Sequence, residues 1–121
     1  MTDIEKFRSY RERMNKKILD SGNIDLQRFF ALDSAVYRKG ALDEKSKELM
    51  GLVASSVLRC NDCILYHLER CVKTGVTDAE MQEALSVALV VGGSVCIPHL
   101  RVAFDAWDRL RSETSKHGSE K

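Results

Sequence analysis

Arg59-Cys60-Asn61-Asp62-Cys63-Ile64-Leu65-Tyr66-His67-Leu68-Glu69-Arg70-Cys71 is the stretch on which the reading of this chain turns. It holds a C-x-x-C pair and, four residues past the second cysteine, a histidine. Cys60, Cys63 and His67 stand at i, i+3 and i+7, so on a helix their side chains share one face. Asn61 and Asp62 suit a cap or a first turn, which predicts a break near residues 59–61 and a new helix beginning at the cysteine pair. Without that break, a helix starting at Asp43 and running to Lys73 would be unusually long for a small domain.

On the N-terminal side of this stretch, Asp43 is the expected N-cap of a helix carrying Glu48, Leu49, Val53, Val57 and Leu58. By spacing alone Glu48 is one more solvent-facing glutamate, no different from Glu44 or Glu83. Earlier still, Thr2-Asp3-Ile4-Glu5 reads as a capping box. The helix it opens carries Ile4, Phe7, Tyr10, Met14 and Ile18 and stops at Ser21-Gly22-Asn23. A second helix is expected over residues 25–38, with Leu26, Phe29, Phe30, Leu32 and Val36 apolar and Gly40 just beyond.

On the C-terminal side the punctuation is clearer. Gly75 suits a helix C′ position. Thr77-Asp78-Ala79-Glu80 is a second capping box, with Val76 and Met81 placed as its hydrophobic staple. The helix that follows ends at Gly92-Gly93, whose role is a sharp turn or close packing rather than a phosphate loop. It is apolar nearly all round (Ala84, Leu85, Val87, Ala88, Leu89, Val90, Val91), so it needs burial on most sides. A 121-residue bundle offers that only in part, and self-association is the simplest remedy. Residues 94–98 form a turn or an irregular helix start. Leu100, Val102, Ala103, Phe104, Trp107 and Leu110 then make a last amphipathic helix, with Phe104 and Trp107 as core or interface residues. From Arg111 the chain is polar and expected to fray, His117 being solvated there. No strand-like alternation survives, so the expected fold is all-α, a bundle of about six helices in a single domain over residues 1–121 with its core at 42–103.

Composition narrows the function. With 19 basic and 18 acidic residues, net charge +1, there is no electrostatic case for a nucleic-acid or acidic-membrane partner. Neither a signal core nor an apolar run of ~20 residues is present, so the expected compartment is the cytoplasm. Four cysteines there argue against a structural disulfide framework and for metal binding or catalysis.

Three readings of the cysteine–histidine face remain open at this level. In the redox reading, a thiol at a helix N-terminus beside an imidazole ionises more readily, and the second thiol resolves the oxidised first as a disulfide. His67 would move the proton; Asp62 works against the thiolate locally. The metal reading needs a fourth ligand, from Cys71, Cys96 or His99. It also needs Cys60, Cys63 and His67 to converge although they span about 10 Å along a straight helix. In the third, cysteines are small core residues, the preferred account of Cys71 and Cys96. His99, after the paired glycines and Pro98, either lines a pocket or is satisfied at a helix start.

Together, Leu42-x-x-Lys45-x-x-Glu48-Leu49, Cys60-x-x-Cys63-x-x-x-His67, Gly75-Val76-Thr77-x-x-Glu80 and Gly92-Gly93 resemble the carboxymuconolactone decarboxylase family, and more narrowly its alkylhydroperoxidase D-like branch. The resemblance implies an alkylhydroperoxidase D-like helical bundle. It also implies a thiol-dependent peroxidase or disulfide oxidoreductase serving antioxidant defence, in which Glu48 (through water) and His67 activate a cysteine of the Cys60–Cys63 pair. Cys63, nearest His67, is the expected attacking thiol and Cys60 the resolving one; thioredoxin-like logic reverses the two. No cofactor is expected to be bound permanently, the reductant being an external thiol or lipoyl group, either small or carried on a protein. The oxidant is a small peroxide or a disulfide. Single-copy relatives form rings, so a homo-oligomer, trimer or hexamer, is implied. There are two departures. The family's inner histidine is Asp62 here, so proton traffic near Cys60 must differ, and the helical unit occurs once rather than twice. The alternatives are a lactone or small-acid lyase using His67, Glu48 and His99 as acid and base, and a non-catalytic oligomeric or zinc-stabilised module. True lactone decarboxylases of the family lack the C-x-x-C.

Overall fold

The structure of the protein, a computed structural model, describes residues 3–119, with side chains through Thr114. Thr2, the expected first cap, lies outside the described residues, as does the side chain of His117. Six α-helices and one 3₁₀ turn make up the described chain, and among the described residues there is no strand. They are α1 (Asp3–Asp20), α2 (Ile24–Val36), α3 (Glu44–Val57), α4 (Asn61–Lys73), α5 (Asp78–Gly92), the 3₁₀ turn (Ser94–Cys96) and α6 (Ile97–Ser119). By packing they fall into two units, Met1–Gly40 and Ala41–Lys121.

In the first unit, Asn23 caps α2 by accepting from the amides of Asp25 (3.0 Å) and Leu26 (3.1 Å). The helix ends at Val36, two residues before the expected boundary, because the Arg38 amide (3.2 Å) and its Nε (2.9 Å) both turn back onto the Ala35 carbonyl. No α2 residue is buried, and Phe29, Leu32 and Val36 are exposed.

The second unit holds the site. α3 packs against both α4 and α5, and α4 packs against α6. Asp43 caps α3 by accepting from the Ser46 amide at 2.7 Å. The buried face of α3 is Glu48, Gly51, Leu52, Ser55 and Ser56, not the apolar stripe Leu49, Val53 and Val57, which is half-buried. Small residues allow two helices to lie close on that face, so the larger apolar ones are turned aside. They line a groove of about 760 Å³ with Met50, Leu58, Val87 and Val91. α5 opens with the expected capping box, Thr77 and Glu80 satisfying each other's backbone amides at 3.1 and 2.9 Å. It buries Met81, Leu85 and Ala88, while Val87, Val90 and Val91 face outward.

The paired glycines fasten the far end. Gly93 turns at φ +83°, and a Cβ on Gly92 would collide with Cys96 Sγ. Cys96 itself is buried and reaches the Ser56 carbonyl at 3.6 Å, near the end of α3. α6 continues as helix past Arg111 to Ser119, beyond the point where polar composition suggested fraying. Arg111 is held on two sides there, by Asp78 (3.5 Å) and by the Trp107 ring (5.8 Å), and Trp107 Nε1 donates to Asp78 at 2.8 Å.

The α3–α4 junction is the feature that builds the site. α3 closes with the Cys60 amide on the Ser55 carbonyl (3.0 Å) and the Arg59 amide on the Ser56 carbonyl (3.1 Å). That is the paired six-to-one and five-to-two closure of a Schellman motif. α4 closes identically, Val76 to Cys71 (3.0 Å) and Gly75 to Val72 (3.2 Å), with Gly75 in the left-handed position at φ +85°. At the first junction that position is Arg59, at φ +60°. For a residue with a Cβ it costs about 1–2 kcal/mol. The reward in geometry is immediate reversal: the next residue, Cys60, is already the N-cap of α4.

Candidate functional site

Cys60 caps α4 with its sulfur, Sγ accepting from the Cys63 amide at 3.3 Å. The expected break therefore falls where the sequence placed it, and the C-x-x-C occupies a helix N-terminus. The two cysteines are joined as a disulfide. Cys63 lies on the surface, whereas Cys60 is half-buried. One turn further along α4, His67 is buried at 8 % exposure.

Glu48 is the surprise relative to spacing. Only 1 % exposed, it is among the most buried side chains of the chain rather than a solvent-facing one. A buried carboxylate needs partners, and two come from α4. Its Oε1 lies 3.0 Å from His67 Nδ1 and its Oε2 3.5 Å from Arg70 Nε. A carboxylate oxygen accepts, so in this contact Nδ1 is the donor. A carboxylate behind an imidazole fixes ring orientation and tautomer as well as charge.

Gly51 completes the seat. A Cβ there would stand 2.5 Å from His67 Cε1 and 2.7 Å from Nδ1, so the imidazole lies directly on the α3 backbone. Tyr66 packs its ring edge-on to the same imidazole, centroids 5.1 Å apart. Beneath, Cys71 is fully buried and free; burial, with the charge of Glu48 adding to it, pushes its thiol up to about 12. Cys96 is likewise buried and free, so both behave as core residues. Among the described residues no three His, Cys, Asp or Glu side chains gather in a way that could hold a metal ion.

Of the remaining candidates, Asp62 is exposed in the first turn of α4. His99, at the start of α6, has Nδ1 2.7 Å from Asn61 Oδ1, which ties it beside the cysteine pair rather than to Glu48 and His67. Spacing overlooked Arg70, Gly51 and Asn61. Arg70 stands three residues beyond His67 and Gly51 three beyond Glu48, so the helix-face rule would have put each beside its neighbour. Nothing in the sequence marks Asn61 as the partner of a residue 38 positions away.

The molecule is thus an all-helical scaffold presenting a cysteine pair at a helix N-terminus above a buried carboxylate–imidazole contact. The model of the carboxymuconolactone decarboxylase family matches residues 26–109, and the chain belongs to that family. Two crystal structures of one Thermotoga maritima protein superpose on it with TM-scores of 0.90 and 0.87 at 57 % and 58 % identity. Each covers 93 % of this chain, and the matches span 98 % and 95 % of those chains. That protein is described as a carboxymuconolactone decarboxylase family member with a suggested part in an antioxidative response. A Legionella pneumophila member of the family, in its apo form, superposes with a TM-score of 0.82 at 25 % identity, over 88 % of this chain and 96 % of that one. A Paracoccus denitrificans protein known only as uncharacterized protein 4 of the cox locus is 29 % identical over 82 residues, 68 % of this chain and 74 % of that protein. No described helix is long and apolar enough to cross a membrane.

Proposed function

We propose that this chain is a thiol-dependent peroxidase and disulfide oxidoreductase whose reacting groups are Cys60 and Cys63, with Glu48 and His67 as proton relay. The observation that carries the reading is the buried Glu48–His67 contact, set one helical turn below an open cysteine pair. A core needs no such pair, and its placement suits proton transfer at a neighbouring sulfur.

In the reductive half, an external dithiol, small or lipoyl, attacks the exposed Cys63 sulfur. The S–S bond breaks and Cys60 leaves as thiolate, stabilised by the Cys63 amide that it already accepts and by the helix dipole. The donor's second thiol releases Cys63 and becomes a disulfide; two electrons and two protons have reached the pair. In the oxidative half, Cys63 thiolate attacks a peroxide: an S–O bond forms, the O–O bond breaks, and the departing alkoxide or hydroxide takes a proton through His67. Cys60 then attacks the sulfenic sulfur, the disulfide reforms and water leaves. Asp62 opposes thiolate formation, which favours disulfide substrates over a fast peroxidase role. Support for an antioxidant setting comes from the Thermotoga relative.

Self-association belongs to the same reading. The α3–α5 groove and the outward valines of α5 leave apolar side chains exposed side by side, which supports a trimer or hexamer.

The test is a thiol titration of reduced protein before and after one equivalent of hydrogen peroxide, with Cys60→Ser and Cys63→Ser alongside. Loss of two thiols to a reversible intramolecular bond, absent from both variants, is the expected result. Unreactive thiols, or peroxide consumption surviving removal of both cysteines, would reject it.

A further inference from the structure

Among the described residues Arg59 is the one non-glycine with positive φ; Gly22, Gly75 and Gly93 occupy the other left-handed positions. The chain solves the same closure without strain at Gly75, with the same pair of backbone hydrogen bonds. Glycine at position 59 would therefore make the turn equally well, and nothing in the turn calls for an arginine. Nor does the side chain stabilise its surroundings. It is exposed, and among the described residues its guanidinium makes no hydrogen bond, ion pair or ring contact. What it adds is an uncommitted cation one residue before Cys60. On the other side Asp62, also exposed and without an ion partner among the described residues, supplies the opposite charge.

An observed backbone outlier is a reason to look for function. We propose that Arg59 is a specificity-determining residue that recognises a carboxylate on the small disulfide reacting at Cys60 and Cys63. This rests on the dithiol reading above. In the step concerned, a cysteine thiolate attacks the substrate disulfide, one substrate thiolate leaves, and the second cysteine displaces the other. The Cys60–Cys63 bond forms, the substrate gains two electrons, and the protons pass to the two released thiolates or to solvent. A guanidinium is the side-chain group best matched to a planar carboxylate, and Arg59 directly precedes Cys60 in the chain. The flanking charges act in opposite directions, Arg59 drawing the anion in and Asp62 repelling it.

Two reagents separate charge recognition from thiol reactivity: the dianionic 5,5′-dithiobis(2-nitrobenzoate) and the neutral 4,4′-dithiodipyridine, each mixed with reduced full-length protein in a stopped flow. The quantity read is the ratio of the two rates. For one exposed charge pair at about 6 Å in water, Arg59→Gln should lower that ratio roughly threefold at low ionic strength. Arg59→Lys should recover most of it, and Asp62→Asn should raise it. In about 0.5 M salt the differences should vanish, the Debye length then being only a few ångströms. Arg59→Gly, which removes the strain, should melt several degrees above the parent and show the same lowered ratio, so loss of fold is not the cause. An unchanged ratio in Arg59→Gln and Arg59→Gly, or equal slowing with both reagents, overturns the proposal. Wild-type protein that yields no two-thiol reaction with either reagent overturns the dithiol reading itself, a result distinct from any change in ratio.

Discussion

Replacing Gly51 by alanine should destabilise the protein, against the usual effect of that change in a helix. Alanine is ordinarily the better helix former by about 1 kcal/mol. Here the new Cβ would lie 2.5 Å from His67 Cε1, whereas carbon–carbon contacts settle at roughly 3.5–4.0 Å. The ring must retreat by about 1 Å. It is buried and wedged beside Tyr66, so the retreat comes at the expense of the 3.0 Å contact with Glu48. A hydrogen bond to a charged group is worth about 1.5–3 kcal/mol. Setting the helix gain against that loss leaves a net destabilisation of about 0.5–2 kcal/mol. For a domain of this size it appears as a fall of roughly 5 °C in the unfolding midpoint. On the proposed mechanism, a 1 Å displacement of His67 should also slow peroxide-driven disulfide formation, by about 10²-fold. The decisive measurement is a double-mutant cycle followed by thermal denaturation. In a His67→Ala background the obstruction is gone, so Gly51→Ala should become stabilising by about 1 kcal/mol. Were Gly51→Ala to stabilise the wild-type protein and leave its thiol oxidation unaltered, the seat assigned to Gly51 would be wrong.

Glu48→Gln keeps the shape of the buried side chain but not its charge; peroxide-driven thiol loss should slow by about 10²-fold, the usual contribution of general acid–base catalysis, as read by the rate of free-thiol disappearance. Glu48→Ala also leaves His67 and the half-exposed Arg70 without their carboxylate, and should lower stability by about 2 kcal/mol in denaturant melts. Reduced native protein should release two rapidly reacting thiols, and all four only in denaturant, because Cys71 and Cys96 are buried. The raised Cys71 thiol has a pH signature as well: unfolded chain loses this proton near pH 9 and folded chain only at about 12, so stability should fall as pH rises through that window. Cys71→Ala should flatten this alkaline slope. Lys45, at 2.7 Å, and the Thr77 backbone amide hold the Glu80 carboxyl below its ordinary range. Their stabilisation is therefore present above the unfolded pKa and lost as pH falls through the folded one, and the melting difference between wild type and Glu80→Gln should close in acid.

Most of the helix boundaries were legible because they rest on local chemistry. Asp43, Gly75 and the Thr77–Glu80 box act within one turn of themselves, so a short window of sequence contains all of their partners. The break before the cysteine pair was legible for the same reason. Harder to see was which side of α3 would be buried. Leu49, Val53 and Val57 form the more apolar stripe, yet Gly51, Ser55 and Ser56 face inward, since closeness of approach between helices decided the matter and hydrophobicity did not. The polar end of α6 stayed helical through contacts of Arg111 with Trp107 and Asp78, neither of which a local pattern weighs.

The helical character of the chain follows from local pattern, and so does the place of the thiol pair, at the N-terminus of a helix with His67 one turn below. Period, caps and turn residues are properties of neighbours along the chain, and they suffice for that much. Helix packing, by contrast, is what buries Glu48, which spacing left among ordinary surface glutamates, against His67 and Arg70, with Gly51 providing the space in which that contact is made. Those residues lie on two helices, 19 and 22 positions apart for the two contacts of Glu48, and nothing but packing brings them together.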